Sequence, residues 1–291
     1  MVKIIFLTVS SGFSNRMLPI LSCYTWCKEH KIPLAVIWFN RTHRAGVKRV
    51  ENGKYFNLKN YFDEIPDLIN VFSNFNEAAQ HYGVSGHQVH HHNMNWSKSF
   101  DLNLLKVDYL HLMNCCFLIS LYPEYQNIIG NRCDLPKEMI ENYPNHPYIK
   151  KVSENFQEFK LNKLIVETGK KIFFPELVGI QLRNTDGGFT ENDNNNVVQK
   201  LYKLIESHDN VFFSNDNIVN YKDVVEKYPN VVTYNDMKKF INNDEGTFYC
   251  LVDFYIMSQC KTTYVASMSS FTLLAFLYNT NKDKKMYYWC Y

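Results

Sequence analysis

The chain has 291 residues, 46% of them hydrophobic and 21% charged, with 21 Phe and 20 Tyr. That length predicts two domains, each large enough to bury a core, and that composition excludes a disordered chain. A formal net charge of +2 excludes a sequence-independent nucleic-acid binder, which needs a basic face, so any anion is held locally.

The opening stretch MVKIIFLTVSSGFSNR runs from an apolar segment, Lys3 to Val9, straight into a glycine turn. It lacks the basic, apolar and small-residue regions of a signal peptide. No stretch reaches the roughly 18 apolar residues of a membrane span, so a soluble, cytoplasmic protein is expected. Ser14 to His30 carries apolar residues at helical spacing (Met17, Leu18, Leu21, Tyr24, Cys27), and Pro33 to Phe39 is apolar again. Strand, helix and strand in that order predict a parallel sheet, with Ser11-Gly12-Phe13-Ser14-Asn15 at the edge where ligands bind.

From Asn40 to about Asn145 no topology is assigned. This stretch holds His87, His90, His91 and His92, which have the residue type but not the spacing of a zinc site and read as a flexible polar loop. It also holds the apolar run Tyr109 to Leu121. Leu135 to Thr168, rich in Pro, Lys, Glu and Asn, reads as the passage between two halves. The boundary is placed near Pro147, giving domains 1–147 and 148–291.

In the second half, apolar runs alternate with helical patterns. Strands are predicted at Leu177 to Leu182, Asn210 to Ser214, Val231 to Tyr234 and Thr263 to Ala266. Helices are predicted from about Asn196 to Ser207, near Tyr221 to Lys227, from Gly246 to Ser258 and from Ser270 to Leu277. This is a second parallel α/β sheet. Eight cysteines without a CxxC pair read as reduced, mostly buried thiols.

The sharpest segment runs from Val178 to Glu191, VGIQLRNTDGGFTE. A strand delivers Arg183 to the loop at its carboxyl end, with Asp186 and two glycines behind it. Arginine suits a diphosphate, because its planar fork bonds two oxygens and its charge persists at any working pH. Alone, the pair is equally the pattern of a salt-bridged loop.

Three further segments keep it company: Gly12-Phe13-Ser14-Asn15-Arg16, Phe213-Ser214-Asn215-Asp216, and Asp253 to Gln259 running on to Ser267-Met268-Ser269-Ser270-Phe271. In this order the set resembles the GDP-fucose-dependent fucosyltransferases of the α1,6 (core and nodulation) type and their protein O-fucosyltransferase relatives. The resemblance covers both ends of the chain and hardly touches residues 40–165.

It implies a GT-B architecture, two Rossmann-like domains facing each other across a cleft, with the nucleotide sugar on the C-terminal one and a glycan or glycoconjugate acceptor on the N-terminal one. The implied reaction is inverting transfer without a metal or other cofactor. Arg183 corresponds to the essential arginine that holds the β-phosphate and stabilises the leaving diphosphate. With no metal, that charge is met by cations and oriented amide hydrogens, and the Ser269-Ser270 turn with Phe271 at a helix start suits this role; a plain helix cap is the other use of serine there. Asp253 matches the acidic residue that pairs with guanine, and Asp216 follows a neighbouring strand at the donor edge. Gly12, Asn15 and Arg16 match the glycine-asparagine-arginine turn, which reaches a phosphate or the acceptor. Glu191 stands where a catalytic base is proposed, in a polar run, Glu191 to Asn196, that also reads as a solvated loop. Asp186 and Asp193 compete for its role.

The chain departs from the resembling enzymes at Gln181, Asn184 and Gly187, where they usually carry histidine, a second basic residue and lysine. Two positive charges are missing, which leaves another nucleotide sugar, or a glycan- or sugar-nucleotide-binding protein without turnover, as alternatives. There is no Asp-x-Asp pair after a strand, no GxGxxG and no GxxxxGK[ST], so manganese-dependent transferases, dinucleotide enzymes and P-loop enzymes are set aside. The abundance of Asn, Lys, Tyr and Ile resembles proteins of AT-rich genomes such as those of large DNA viruses.

Overall fold

A computed structural model describes residues 2–9, 12–38, 58–94, 100–115, 118–128, 146–182, 191–216, 218–234, 244–266 and 269–289. The chain divides into two units, Met1–Leu161 and Asn162–Tyr291.

Unit 1 is built in the order β1 (Ile4–Val9), α1 (Phe13–His30), β2 (Leu34–Trp38), α2 (Leu58–Tyr61), β3 (Phe62–Glu64), β4 (Ile69–Phe72), α3 (Phe75–His81), β5 (His90–Asn93), β6 (Tyr109–Cys115), α4 (Pro147–Phe156) and β7 (Lys160–Leu161). Five of the strands form one sheet in the order β4-β2-β1-β6-β5, parallel throughout, while β3 and β7 make a small antiparallel pair. The near-continuous apolar text of β1 and β2 follows from this placement. Central parallel strands are covered on both faces, and every residue of the two is buried except half-buried Thr8.

Helix α1 begins at Gly12, whose extended backbone is the N-cap. It stops at Lys31, which takes a left-handed φ of 55° so that its N–H returns to the last carbonyls. Ser14 and every residue from Arg16 to Cys27 are buried, because α4 covers the side away from the sheet. The two helices are tied by Lys28 Nζ to Asn155 Oδ1 (3.1 Å) and by Asn155 Nδ2 to Thr25 Oγ1 (3.2 Å), and Tyr24 donates to Glu158 just beyond the end of α4. Tyr148, Ile149, Val152 and Phe156 form the buried stripe of α4. The division of the chain therefore falls after Leu161 rather than near Pro147.

The histidine-rich segment is corrected here. His90–Asn93 is an edge strand, β5, paired in register with Leu110 to Met113 of β6, and not a loop. No group of three or more His, Cys, Asp or Glu side chains that could hold a metal ion occurs among the described residues.

Unit 2 continues with α5 (Lys163–Lys170), β8 (Val178–Leu182), α6 (Glu191–Glu206), β9 (Val211–Asn215), α7 (Ile218–Lys227), β10 (Val231–Val232), α8 (Asp244–Gln259), β11 (Thr262–Val265), α9 (Ser270–Tyr278) and β12 (Lys285–Tyr288). Its sheet runs β10-β9-β8-β11-β12, again parallel throughout. On one face Ile180, Leu182 and Phe213 pack with Leu201 and Ile205 of α6 and Val224 of α7. On the other, Gly179 lets α8 approach closely: a Cβ there would lie 2.8 Å from Met257 Sδ.

A second correction concerns the polar run at Glu191, which forms the first turns of α6 and not a loop. Cys23, Cys27 and Cys260 are buried thiols, and burial pushes them up from the usual thiol range. Among the described residues no helix is long and apolar enough to cross a membrane.

Candidate functional site

The site is best built from the carboxyl edge of the second sheet, where open α/β folds bind their ligands. Three strands end there within a residue of register. Gln181 sits beside Ser214 on β9 and Val265 on β11, and Leu182 sits beside Asn215.

Side chains alternate along a strand, so Gln181 shares the face of Gly179, the face that α8 covers. Directly paired residues point the same way, which puts Ser214 on that face too. Ser214 Oγ donates to Asp253 Oδ2 of α8 at 3.0 Å. Asp253 is 3% exposed and Gln181 5% exposed. An otherwise apolar layer between sheet and helix thus ends in a polar group of amide, hydroxyl and carboxylate.

Gln181 Oε1 has no hydrogen-bond partner among the described residues. An amide oxygen left so costs about 1–3 kcal/mol when buried. At a ligand edge, a donor on a bound molecule would recover that cost.

Helix α9 opens at the same edge, following β11. Ser269 is its N-cap, with its Oγ accepting from Thr272 N at 3.2 Å and 3.1 Å from Thr272 Oγ1. Ser269 and Ser270 are both buried. The Ser269 hydroxyl is therefore used within the helix, and what α9 offers an anion is its first backbone N–H groups and the positive end of its dipole. Phe271 meets Phe254 edge-on at 6.2 Å between centroids, which fixes the start of α9 against the turn of α8 that carries Asp253. Asp216 follows β9 at this edge and is half-buried.

Arg183 and Asp186 lie outside the described residues, immediately beyond the last residue of β8. Glu191 heads α6, with its side chain outside the description. The structure thus brings together Gln181, Asp253, Ser269, Ser270 and Phe271 around strand ends that lead into Arg183 and Asp216. Ser214, which the sequence offers only as part of Phe213-Ser214-Asn215-Asp216 and with no role of its own, is the residue whose hydroxyl holds Asp253.

In unit 1, Gly12 is the N-cap of α1, and Asn15 and Arg16 lie in its first turn. Arg16 is 2% exposed, and its guanidinium lies 4.7 Å from the ring centroid of Trp38 at the end of β2. This stacking of cation on indole is worth up to about 2 kcal/mol when desolvated. Trp38 was also missed from the sequence.

No family model matches the chain, and no curated protein matches it by sequence. Among solved structures it is similar to NodZ alpha-1,6-fucosyltransferase co-crystallized with GDP, at 14% identity and a TM-score of 0.57 over 95% of this chain and 92% of that one. It is similar to fucosyltransferase NodZ from Bradyrhizobium, at 13% identity and 0.56 over 95% and 93%. It is also similar to POFUT1 in complex with GDP, at 10% identity and 0.52 over 98% of both chains. The likeness is one of fold across nearly the whole length: the chain has the α/β GT-B fold of these fucosyltransferases.

Proposed function

We propose that this protein is an inverting glycosyltransferase that moves fucose from GDP-fucose to a hydroxyl of a glycan or glycoconjugate, without a metal ion. The observation that carries the reading is the polar group at the carboxyl edge of the second sheet, on a fold whose solved neighbours were crystallised with GDP or soaked with GDP-fucose. Asp253, held by Ser214, is suited to accept two N–H bonds from a guanine edge. The N-terminus of α9, next to Phe271, faces an anion with free backbone donors. Arg183, the next residue in the sequence after β8, supplies the cation for the β-phosphate and for the charge that builds on the departing GDP. Attack by the acceptor needs a base for its proton, and Glu191, Asp186 and Asp193 are the carboxylates that the sequence offers.

A second reading, in which the donor is a different nucleotide sugar, is favoured by Gln181. Its open amide oxygen accepts rather than donates and carries no charge, unlike the histidine of the resembling enzymes.

Calorimetry with GDP, UDP and CDP, followed by assay of GDP released from GDP-fucose with and without glycan acceptors and with EDTA, separates these readings. Tight GDP binding with acceptor-dependent, EDTA-insensitive turnover is the expected result. Preference for another nucleotide supports the second reading, and GDP binding without turnover identifies a binding protein. Arg183→Ala is expected to abolish transfer while leaving the circular dichroism spectrum unchanged, a loss of several kcal/mol, about 3–4, of transition-state stabilisation. Full activity in that variant rejects the assignment.

A further inference from the structure

The histidine-rich strand β5 has no part in the donor site, yet it carries half of a side-chain pair with the chemistry of a metal chelate. His91 on β5 and His111 on β6 are direct partners in the parallel register, so both rings leave the same face of the sheet. Their Nδ1 atoms lie 2.9 Å apart. His111 is 4% exposed and His91 is exposed, so one ring is anchored in the fold and the other borders solvent.

The anchored ring is fixed by its neighbours. Phe75, the first residue of α3, stacks flat on it (4.6 Å between centroids, 10°) and meets His91 edge-on at 5.1 Å. Phe6, its register partner on β1, meets it edge-on at 6.5 Å. On the side away from His91, its Nε2 lies 2.8 Å from Oγ1 of Thr8 on β1. With Nε2–H donating to that hydroxyl, the tautomer leaves Nδ1 bare and turned toward His91. Metal-ligating histidines are held in this way. The ring nitrogen opposite the metal donates to a neighbouring oxygen, which fixes the orientation of the ring and raises the basicity of the ligating nitrogen.

Two facing ring nitrogens are held together by a proton on one of them or by a cation bound to both, and their separation selects the cation. At metal–nitrogen bonds of about 2.0–2.1 Å, two nitrogens at a right angle on one ion lie about 2.8–3.0 Å apart, and two on a tetrahedral ion about 3.3–3.4 Å. The observed 2.9 Å matches adjacent positions on a square-planar or octahedral ion, the geometry of copper(II) and nickel(II) with nitrogen ligands, and not tetrahedral zinc. Copper(II) also stands highest in the affinity order of divalent ions for such donors.

The other histidines of the strand face away. His90 and His92 alternate with His91 and pair with Leu110 and Leu112. Among the described residues no third His, Cys, Asp or Glu joins the pair, so water completes the coordination and a bound ion stays exchangeable.

We propose that His91 and His111 form a binding site for a divalent transition metal of right-angled geometry, copper(II) before nickel(II), with Thr8 as the positioning residue behind His111. The site lies within unit 1 and does not rest on the transferase reading.

The test uses the full chain without an affinity tag, stripped with EDTA, dialysed, and titrated with copper(II) chloride against glycine as a competing chelator at about pH 7.5, above the ordinary imidazole range. Calorimetry is expected to show a single tight site per chain, and pulsed electron paramagnetic resonance two equatorial imidazole nitrogens. His91→Ala is expected to weaken that site by about 100-fold or more, since a lone imidazole does not chelate, with an unchanged circular dichroism spectrum because the position is exposed. His90→Ala, on the opposite face, is expected to leave it intact. Thr8→Val keeps the shape of the side chain and removes the hydroxyl, and is expected to weaken copper about 10- to 100-fold; Thr8→Ser is expected to restore it. Nickel(II) is expected to bind more tightly than zinc(II). The absence of a tight site in the wild type, or the same affinity and nitrogen signals in His91→Ala, overturns the proposal. Unchanged affinity in Thr8→Val overturns the role of Thr8, and zinc bound more tightly than nickel overturns the right-angled geometry.

Discussion

His111 shows how one buried side chain makes the fold sensitive to pH. Its ring lies between Phe75, Thr8 and His91, and in the folded chain it titrates at about 4 instead of its ordinary 6.5. As pH falls below 6.5 the unfolded chain binds a proton that the folded chain refuses. The stabilisation is thus fully present above 6.5 and is lost progressively toward 4, on the order of 3 kcal/mol at most. Urea denaturation at pH 7 and pH 4.5 is expected to show a larger fall for the wild type than for His111→Phe, which keeps a ring on Phe75 and cannot protonate. Equal falls would mean that His111 is not the group responsible. At the donor edge, the proposed role of Asp253 makes a separate prediction. Asp253→Asn keeps an oxygen for the Ser214 hydroxyl but loses the charge and one acceptor, and is expected to weaken GDP about 10- to 100-fold. Inosine diphosphate lacks the guanine amino group, so the wild type's preference for GDP over it should narrow in this variant; a preserved preference places the base elsewhere.

Between elements, two glycines set how closely helices approach. A Cβ on Gly169 of α5 would lie 2.3 Å from Cδ1 of Tyr255, a buried ring on α8, whereas one on Gly179 of β8 would meet the flexible Met257 side chain at 2.8 Å. Overpacking costs about 1–3 kcal/mol, and a thioether yields more readily than a ring. Gly169→Ala is therefore expected to destabilise more than Gly179→Ala in urea midpoints, despite alanine's better helix propensity, and the reverse order would contradict the packing described. The same elements show what the sequence could reveal. The strands β1, β2 and β8 were legible because central parallel strands are apolar on both faces. The start of α9 was legible because Ser269 is a cap with its hydrogen bond in place. By contrast β5 reads His-His-His-Asn and owes its existence to pairing with β6, a long-range contact with no local periodicity. The first turns of α6 are acidic and asparagine-rich, favoured near a helix N-terminus but poor as helix interior, so they resembled a loop. Of the candidate site, residues spaced along one strand or helix were readable; the Ser214–Asp253 bond and the Arg16–Trp38 stack join separate elements and were not.

For the whole molecule, the placement of α4 decides where the chain can be divided. Tyr148, Ile149, Val152 and Phe156 are each at most 1% exposed, and each contributes roughly 1.5–3 kcal/mol by burial. Together that is on the order of 6–12 kcal/mol as an upper bound, comparable with the whole stability of a domain. A chain cut near Pro147 strips this cover from α1 and leaves the apolar stripe of α4 unpartnered at the head of the second piece. Fragment 1–161 is therefore expected to unfold cooperatively and remain monomeric, while 1–146 melts without a transition. Likewise 162–291, which keeps its five parallel strands and the helices on both faces, is expected to give a sharp thermal transition, whereas 148–291 aggregates through the exposed face of α4. Size-exclusion chromatography and circular dichroism melts of the four fragments measure this directly. If 1–146 and 148–291 behave as well as their longer and shorter counterparts, α4 is not an integral part of unit 1, and the apolar stripe it buries contributes far less than its area implies.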